Sequence, residues 1–217
     1  MATVPYFAGI LSEKLRRLAA RSVVRRLHRG EILIETGHGP ELAWLVSSGL
    51  ILRSVFAADG RSLTVDLRRP AEGFCSSGDG DQTPIQTSAL IDSVVVGVPL
   101  GPALDAIAGR PDLLRRFTGD LTARLRESQS MRVIVIESAA RRVLRVLKWL
   151  QEKLGPRIPF TRKAIADVAG LPRETVIRAL SPIEKKGWIR SKRGQLRIIR
   201  PDKIARMLDA GGRHDHR

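Results

Sequence analysis

Three side chains near the C-terminal end of the chain have the types and spacing needed to read nucleic-acid bases. Arg173, Glu174 and Arg178 fall within one and a half turns of a predicted helix. Arginine can pair bidentately with guanine, and glutamate can accept a hydrogen bond from the amino group of cytosine. Because a carboxylate weakens attraction to phosphate, base reading explains Glu174 better than bulk charge does, the alternative being an interaction with the helix dipole. We therefore predict these three residues as base readers.

The pattern of residues 160–187 predicts two short helices that would position Arg173, Glu174 and Arg178. Thr161 is suited to cap the first helix, Gly170 to the left-handed turn, and Pro172 to the start of the second helix. Ala166 is small, as a close helix crossing requires. The predicted core residues are Ile165, Leu171, Val176, Leu180 and Ile183. This spacing is typical of a helix-turn-helix, with an ordinary helical hairpin as the alternative.

Residues 187–199 predict two strands around the turn Lys192-Arg193-Gly194-Gln195, which is the pattern of a wing. Lys192 and Arg193 would contact flanking phosphates. We assign Thr161, Lys163 and Thr175 to the same role, because phosphate contacts position a protein on DNA and carry little sequence information.

The charge distribution agrees with a polyanionic partner. The chain has a formal net charge of +16, but residues 1–138 contribute +2 and residues 139–217 contribute +14. Concentrated cations favour nucleic acid, since each neutralised phosphate releases counterions. A non-specific nucleic-acid or ribosome-associated binder and a generally basic proteome are the alternatives.

The pattern of residues 1–138 predicts a compact β domain followed by a helix that could contact a second copy of the chain. Residues 8–27 have helical spacing, and residues 29–100 read as short strands, including a hairpin around Asp59-Gly60, that close into a β-roll or small barrel. After Pro111 a helix of about 27 residues, about 40 Å long, has an apolar seam that suggests a second copy of the chain. The alternative is a helix packed across its own β-roll. A further helix is predicted from Ala139 to Leu154, ending at Gly155-Pro156.

Several classes of protein are disfavoured. Cys75 is the single cysteine, so no intramolecular disulfide can form. No stretch approaches the length needed to span a bilayer and no secretory leader is evident, so we expect a cytoplasmic protein without a membrane partner. We expect no enzyme either, because carboxylates and histidines do not cluster with a nucleophile and the glycine-rich residues 73–80 lack the lysine of a phosphate-binding loop.

The whole order of elements resembles the Crp/Fnr family of transcription regulators, which includes the cyclic-AMP receptor and the fumarate-nitrate regulator. The sequence features that carry the resemblance are Arg29-Gly30-Glu31, Gly37, Ser48-Gly49, Asp59-Gly60-Arg61, Gly73, the long helix and residues 173–178, Arg-Glu-Thr-Val-Ile-Arg. It implies an α+β fold with an N-terminal double-stranded β-helix (a cyclic-nucleotide-binding-like jelly roll), a long dimerisation helix and a C-terminal winged helix-turn-helix. The corresponding domains would span residues 1–109, 110–138 and 139–217.

The resemblance also implies partners. A homodimer would bind a two-fold symmetric site in double-stranded DNA, with Arg173, Glu174 and Arg178 on half-sites resembling GTGA, and would contact RNA polymerase. Ile177 departs from the small or hydroxyl residue often found at its position, which leaves the outer bases of the site open.

The effector pocket matches the family poorly. Members that bind cyclic nucleotides have a Gly-Glu pair followed by an Arg-Ser/Thr pair, whereas residues 73–87 contain no arginine or lysine and include Asp79 and Asp81. A phosphate beside two carboxylates with no cation is disfavoured, so we predict that neither cyclic AMP nor cyclic GMP binds.

We expect no resident cofactor. One cysteine excludes the iron-sulfur branch of the family. Haem, with His28, His38 or Cys75 as axial ligand, and a small organic ligand are the alternatives. Cys75 and Ser76 are the candidate effector or redox residues, although no cation lies beside the thiol in sequence to activate it.

Overall fold

The computed structural model describes residues 12–35, 41–56, 58, 62–76 and 85–210. The chain divides into two compact units, unit 1 with Met1–Phe56 and Val65–Ser130, and unit 2 with Ala57–Thr64 and Met131–Arg217. The division into residues 1–109, 110–138 and 139–217 stays a prediction.

Unit 1 is built mainly of antiparallel strands. Its elements are α1 (Ser12–Ala20), β1 (Val23–Leu27), β2 (Ile32–Ile34), β3 (Leu42–Ser48), β4 (Ile51–Phe56), β5 (Ser62–Arg68, which begins in unit 2), β6 (Gly73–Ser76), β7 (Ile85–Ala89), β8 (Ser93–Pro99), α2 (Leu100–Ala108) and α3 (Pro111–Arg132). The strands form two sheets in the orders β1-β8-β3-β6 and β2-β7-β4-β5. Ile51 and Ala89 of one sheet pack with Trp44, Phe74 and Val95 of the other in a shared core. This sandwich confirms the predicted jelly roll, and β4 and β5 are neighbours as the predicted hairpin requires.

The first helix is shorter than the predicted span of residues 8–27. It ends at Ala20, and Val23–Leu27 forms β1 instead. The Ser22 hydroxyl donates to the Leu18 carbonyl at 2.7 Å at the helix end. β1 pairs antiparallel with β8, and Val24 lies opposite Val96. Because β-branched residues such as Val23 and Val24 favour strands over helices, the chain forms β1 here and does not continue the helix.

The long helix is present but ends earlier than predicted. α3 has 22 residues and is followed by a 3-10 turn at Val133–Ile136. That turn contains four consecutive β-branched residues, which lower helix propensity. The described apolar side chains of the predicted seam include Leu114, Leu121 and Leu125, which are 45%, 45% and 58% exposed.

Unit 2 contains three helices around a small three-stranded sheet, with a fourth helix after it. Its elements are α4 (Ala139–Leu154), β9 (Arg157–Ile158), α5 (Arg162–Ala169), α6 (Arg173–Lys185), β10 (Ile189–Lys192), β11 (Gln195–Ile198) and α7 (Pro201–Ala210). α4 has the predicted bounds and buries Val143, Val146 and Leu147, and Gly155 ends it at φ +79°. β10 and β11 pair with Lys192 opposite Gln195, so Arg193-Gly194 forms the predicted wing turn.

Candidate nucleic-acid interface and internal cavity

The turn between α5 and α6 has the predicted geometry. The Thr161 hydroxyl accepts a hydrogen bond from the Ala164 N–H at 3.1 Å, which caps α5. Gly170 adopts φ +60°, a left-handed conformation that glycine tolerates without strain. The Leu171 N–H then donates to the Ala166 carbonyl at 3.0 Å. These contacts set the direction in which α6 leaves the turn.

α6 has one buried face and one exposed face. Val176, Leu180 and Ile183 are buried in unit 2. Arg173, Glu174 and Arg178 are exposed. At 3.6 residues per turn the mean directions of the two groups differ by roughly 140°. A helix with this arrangement is anchored by its apolar face and offers two guanidinium groups and one carboxylate to a ligand outside the unit.

The predicted phosphate contacts differ in their surroundings. Thr161, Lys163 and Arg173 line one groove of about 400 Å³ together with Gly194 and Gln195 of the wing. Lys192 and Arg193 are exposed at the wing turn beside it. Among the described lining residues of that groove neither Glu174 nor Arg178 appears, so the structure brings part of the predicted set together and leaves these two further along the exposed face.

Besides Thr161, two of the predicted phosphate contacts already have a protein partner. The Lys163 ammonium lies 3.1 Å from a carboxylate oxygen of Asp167, although its side chain is 73% exposed. Thr175 is half-buried, and its hydroxyl oxygen lies 3.4 Å from Nη2 of Arg178, at the long end for a hydrogen bond. Each would have to share these contacts with a bound phosphate.

Glu184 is a positioning residue that the sequence analysis missed. Its Oε1 accepts a hydrogen bond from the Ser191 N–H at 2.9 Å, and its Oε2 accepts from the Arg162 guanidinium at 3.0 Å. Desolvation raises the pKa of Glu184, but the bonds from Ser191 and the charge of Arg162 outweigh it, so the pKa is lowered. This carboxylate joins the end of α6, the start of α5 and the first strand of the wing. A glutamate about one turn before the predicted wing, among basic residues, is the sequence feature that could have indicated this positioning role.

Unit 1 contains a second candidate site, a partly open cavity of about 330 Å³ whose wall includes the exposed residues Cys75, Leu104 and Leu121. Arg53 of β4, Arg68 of β5 and Arg124 of α3 line it together with apolar side chains. Asp66 forms an ion pair with Arg68 and lies 3.6 Å from Nη1 of Arg53. The pocket predicted from sequence was confined to residues 73–87, and none of these three arginines lies in that segment.

Cys75 lines this cavity, and Ser76 does not. Successive side chains of a strand point to opposite faces, and the Ser76 hydroxyl donates to the Leu42 carbonyl at 3.3 Å on β3. Desolvation raises the pKa of the Cys75 thiol, and the opposing effect of Arg124, Arg53 and Arg68 is smaller. The thiol therefore stays protonated at neutral pH although cations do surround it.

Other predicted features lie outside the described residues. They are Ile10 and Leu11 of the first helix, Gly37, His38, the turn Asp59-Gly60-Arg61, and Asp79 and Asp81 of the glycine-rich segment. His28 is exposed in the β1–β2 connection, and none of the described side chains lining the cavity is a histidine.

The described residues contain neither a candidate metal site nor a helix suited to a membrane. No cluster of three histidine, cysteine or carboxylate side chains there could hold a metal ion. Within the same ranges no helix has the length and apolar character needed to cross a membrane.

The chain is similar to known transcription regulators, both in its C-terminal domain and over most of its length. A family model for the Crp-like helix-turn-helix domain matches residues 141–207. The chain is similar to a CRP-like cAMP-activated global transcriptional regulator of Mycobacterium tuberculosis, with 24% identity over 217 residues, 95% of this chain and 97% of the relative. It is also similar to the cyclic AMP receptor protein of Thermus thermophilus, with 28% identity over 199 residues, 89% of this chain and 92% of the relative.

The fold agrees with solved structures. FixK2 from Bradyrhizobium japonicum aligns with a TM-score of 0.74 over 85% of this chain and 96% of that one, at 20% identity. The shared architecture is a jelly roll, a long helix and a C-terminal helix-turn-helix domain.

Proposed function

We propose that this chain is a Crp/Fnr-type transcription regulator that binds a two-fold symmetric DNA site as a homodimer, reading bases with Arg173, Glu174 and Arg178. The observation that carries the proposal is the exposure of these three side chains on α6 opposite a buried apolar face. An exposed helix face of this kind can enter a major groove, where arginine and glutamate distinguish base pairs.

The phosphate contacts would come from the residues around the groove and the wing. Lys192 and Arg193 are exposed, and Thr161 and Lys163 line the groove beside Arg173. The Thr161 hydroxyl accepts from Ala164 and still has its own hydrogen to donate to a phosphate oxygen. Thr175 would add a further phosphate contact near the start of α6. These groups would fix the register of α6 on the duplex.

Dimerisation would use α3. Leu114, Leu121 and Leu125 recur at helical spacing and are about half exposed, which is unusual for large apolar side chains on one helix face. A second copy of α3 would cover them, and the two recognition helices would then meet successive major grooves about 34 Å apart. Contact with RNA polymerase is a further proposal that follows from family membership.

For the sensor we propose that cyclic nucleotide is not the effector, although the names of two relatives contain cyclic AMP. The absence of basic residues from 73–87 does not decide this, because Arg53, Arg68 and Arg124 line the cavity and could hold a phosphate. The described lining contains no side-chain oxygen to accept from the ribose hydroxyls of a nucleotide, which disfavours one there. No haem ligand pair is supported by the described cavity residues, and Cys75 is the only candidate redox group among them.

The direct test compares two DNA duplexes of equal length and composition, one with inverted GTGA half-sites and one scrambled. Arg173→Ala should lose about 1–3 kcal/mol of preference for the symmetric duplex, whereas Lys192→Ala should weaken both duplexes by the same factor. Arg206→Ala, an exposed cation on α7, is the matched control. Equal losses on both duplexes for Arg173→Ala would favour a non-specific nucleic-acid binder, the competing function that the charge of residues 139–217 suggests.

A further inference from the structure

The cavity of unit 1 has a polar wall made of basic groups. Arg68 is 6% exposed and Trp44 is 5% exposed. Nε of Arg53, Nε of Arg68 and Nε1 of Trp44 are buried N–H groups with no hydrogen-bond partner among the described residues. All three residues line the cavity. Since buried donors are nearly always paired in folded proteins, these groups call for an acceptor that the described protein does not supply.

The charges around the cavity do not cancel. Asp66 serves both Arg53 and Arg68, and Asp120 forms an ion pair with Arg124. Arg53 and Arg68, two guanidinium groups, therefore share the single carboxylate of Asp66, which leaves a surplus of one positive charge among these three residues. Desolvation lowers the pKa of Arg53 against the opposing effect of Asp66, which is the behaviour of a cation whose buried charge is incompletely balanced. One negative charge would complete the site.

The rest of the wall is apolar. Phe74 and Phe117 contribute aromatic surface, and Leu104 and Ile107 contribute aliphatic surface. Apart from the three arginines, the indole N–H of Trp44 and the thiol of Cys75, the described lining side chains have no polar group. Ribose hydroxyls buried here would find no side-chain acceptor in that lining, which disfavours a nucleotide. A volume of about 330 Å³ is at the small end of ligand pockets.

We propose that this cavity binds a small organic carboxylate of net charge −1 with an apolar aryl or alkyl body. The carboxylate accepts hydrogen bonds from Arg53 and Arg68, in the paired geometry that guanidinium groups favour. The body lies against Phe74 and Phe117. Binding itself is independent of the DNA-reading proposal, whereas regulation of DNA binding by the carboxylate rests on it.

The test is calorimetry on the full chain with 3-phenylpropanoate and octanoate, each paired with its neutral amide. We expect the carboxylate of at least one pair to bind at least tenfold more tightly than the amide. Arg53→Gln should abolish this difference, and Arg25→Gln, at an exposed arginine of β1, should leave it unchanged. Asp66→Asn should bind the carboxylate more tightly, because it removes the competing negative charge beside Arg53 and Arg68, and a gain of affinity cannot arise from misfolding.

Three outcomes would overturn the proposal. They are equal affinity for acid and amide, absence of binding by both acids at millimolar concentration, and tight binding of cyclic AMP that Arg53→Gln removes. Arg173→Ala separates this proposal from the previous one, because it should change DNA preference and leave the calorimetry of the carboxylate unaltered. A change in DNA affinity on adding the carboxylate to the wild-type chain would then establish regulation.

Discussion

Glu184 accepts a hydrogen bond from the backbone N–H of Ser191 at 2.9 Å, so one carboxylate connects the last turn of α6 to the first strand of the wing. The same carboxylate pairs with Arg162 at the start of α5. The wing and the recognition helix are thus held together by a group that need not touch DNA.

Replacing Glu184 should therefore affect stability and DNA binding together. Glu184→Ala leaves the Ser191 N–H and the Arg162 guanidinium without this acceptor, which should cost about 1–2 kcal/mol of unfolding free energy. DNA affinity should fall on all sequences because the wing loses its fixed position. Thermal unfolding and filter binding measure both, with Glu152→Ala, an exposed glutamate paired to Lys148 at 3.7 Å, as the control.

The contribution of Glu184 should also depend on pH. Its pKa is lowered in the folded state, so its contribution is fully present above the ordinary glutamate pKa, about 4.3, and is lost as the pH falls through the lower folded value. The difference in stability between wild type and Glu184→Gln should shrink on acidification below about pH 4. A difference that persists unchanged at pH 2.5 would contradict this role.

Glu174→Gln separates base reading from a helix-end interaction. If Glu174 accepts from a cytosine, the variant should lose about 1–3 kcal/mol on the symmetric duplex and bind random DNA more tightly, because a like charge near phosphate is removed. A helix-dipole role alone would lower unfolding free energy by about 0.3–1 kcal/mol with DNA preference unaltered. Competition binding with both duplexes distinguishes base reading from the helix-dipole role, and Asp209→Asn on α7 is the control.

The exposed face of α3 should control assembly. Leu125→Glu would put a carboxylate into the proposed contact between two copies and should convert the dimer to a monomer with much weaker binding to the symmetric site. Leu125 is chosen because, unlike Leu121, it is not among the described lining residues of the cavity. Ala123→Glu, exposed and roughly 160° away around the helix from the Leu125 direction, should leave the dimer intact. Sedimentation velocity at micromolar concentration distinguishes them. A monomeric wild-type chain that still prefers the symmetric duplex would refute the assignment.

Cys75 should be a poor nucleophile at neutral pH. Desolvation raises its pKa, so the thiolate fraction at pH 7 should be smaller than that of a free cysteine, whose pKa is about 8.5. As Cys75 is the only thiol in the chain, its alkylation rate against pH can be read by mass spectrometry without a background from other sites. Alkylation faster than that of glutathione at pH 7 would instead support a redox sensor.

Helix α6 could be predicted from sequence because its determinants are local. The cap at Thr161, the glycine at position 170 and the buried positions of α6 lie within a short run, and each has a periodicity or backbone requirement of its own. The wing turn likewise follows from Arg193-Gly194 between two alternating strands.

The cavity could not be predicted in the same way. Arg53, Arg68 and Arg124 come from three elements separated by up to 71 positions, and only the folding of the jelly roll against the second half of α3 brings them to one wall. Comparing residues 73–87 with family members therefore suggested a pocket without cations. Strand β1 was missed for a related reason, because its pairing with β8 joins segments about 70 residues apart and is invisible to helical periodicity.

The central claim is that α6 reads bases, and selection of bound sequences from random DNA tests it most directly. The wild-type chain should enrich inverted half-sites resembling GTGA whose centres lie about 10 base pairs apart. Arg173→Ala and Arg178→Ala should each relax the preference at particular positions of the half-site. Enrichment of no symmetric motif by the wild type, or of an unaltered motif by both variants, would contradict the account.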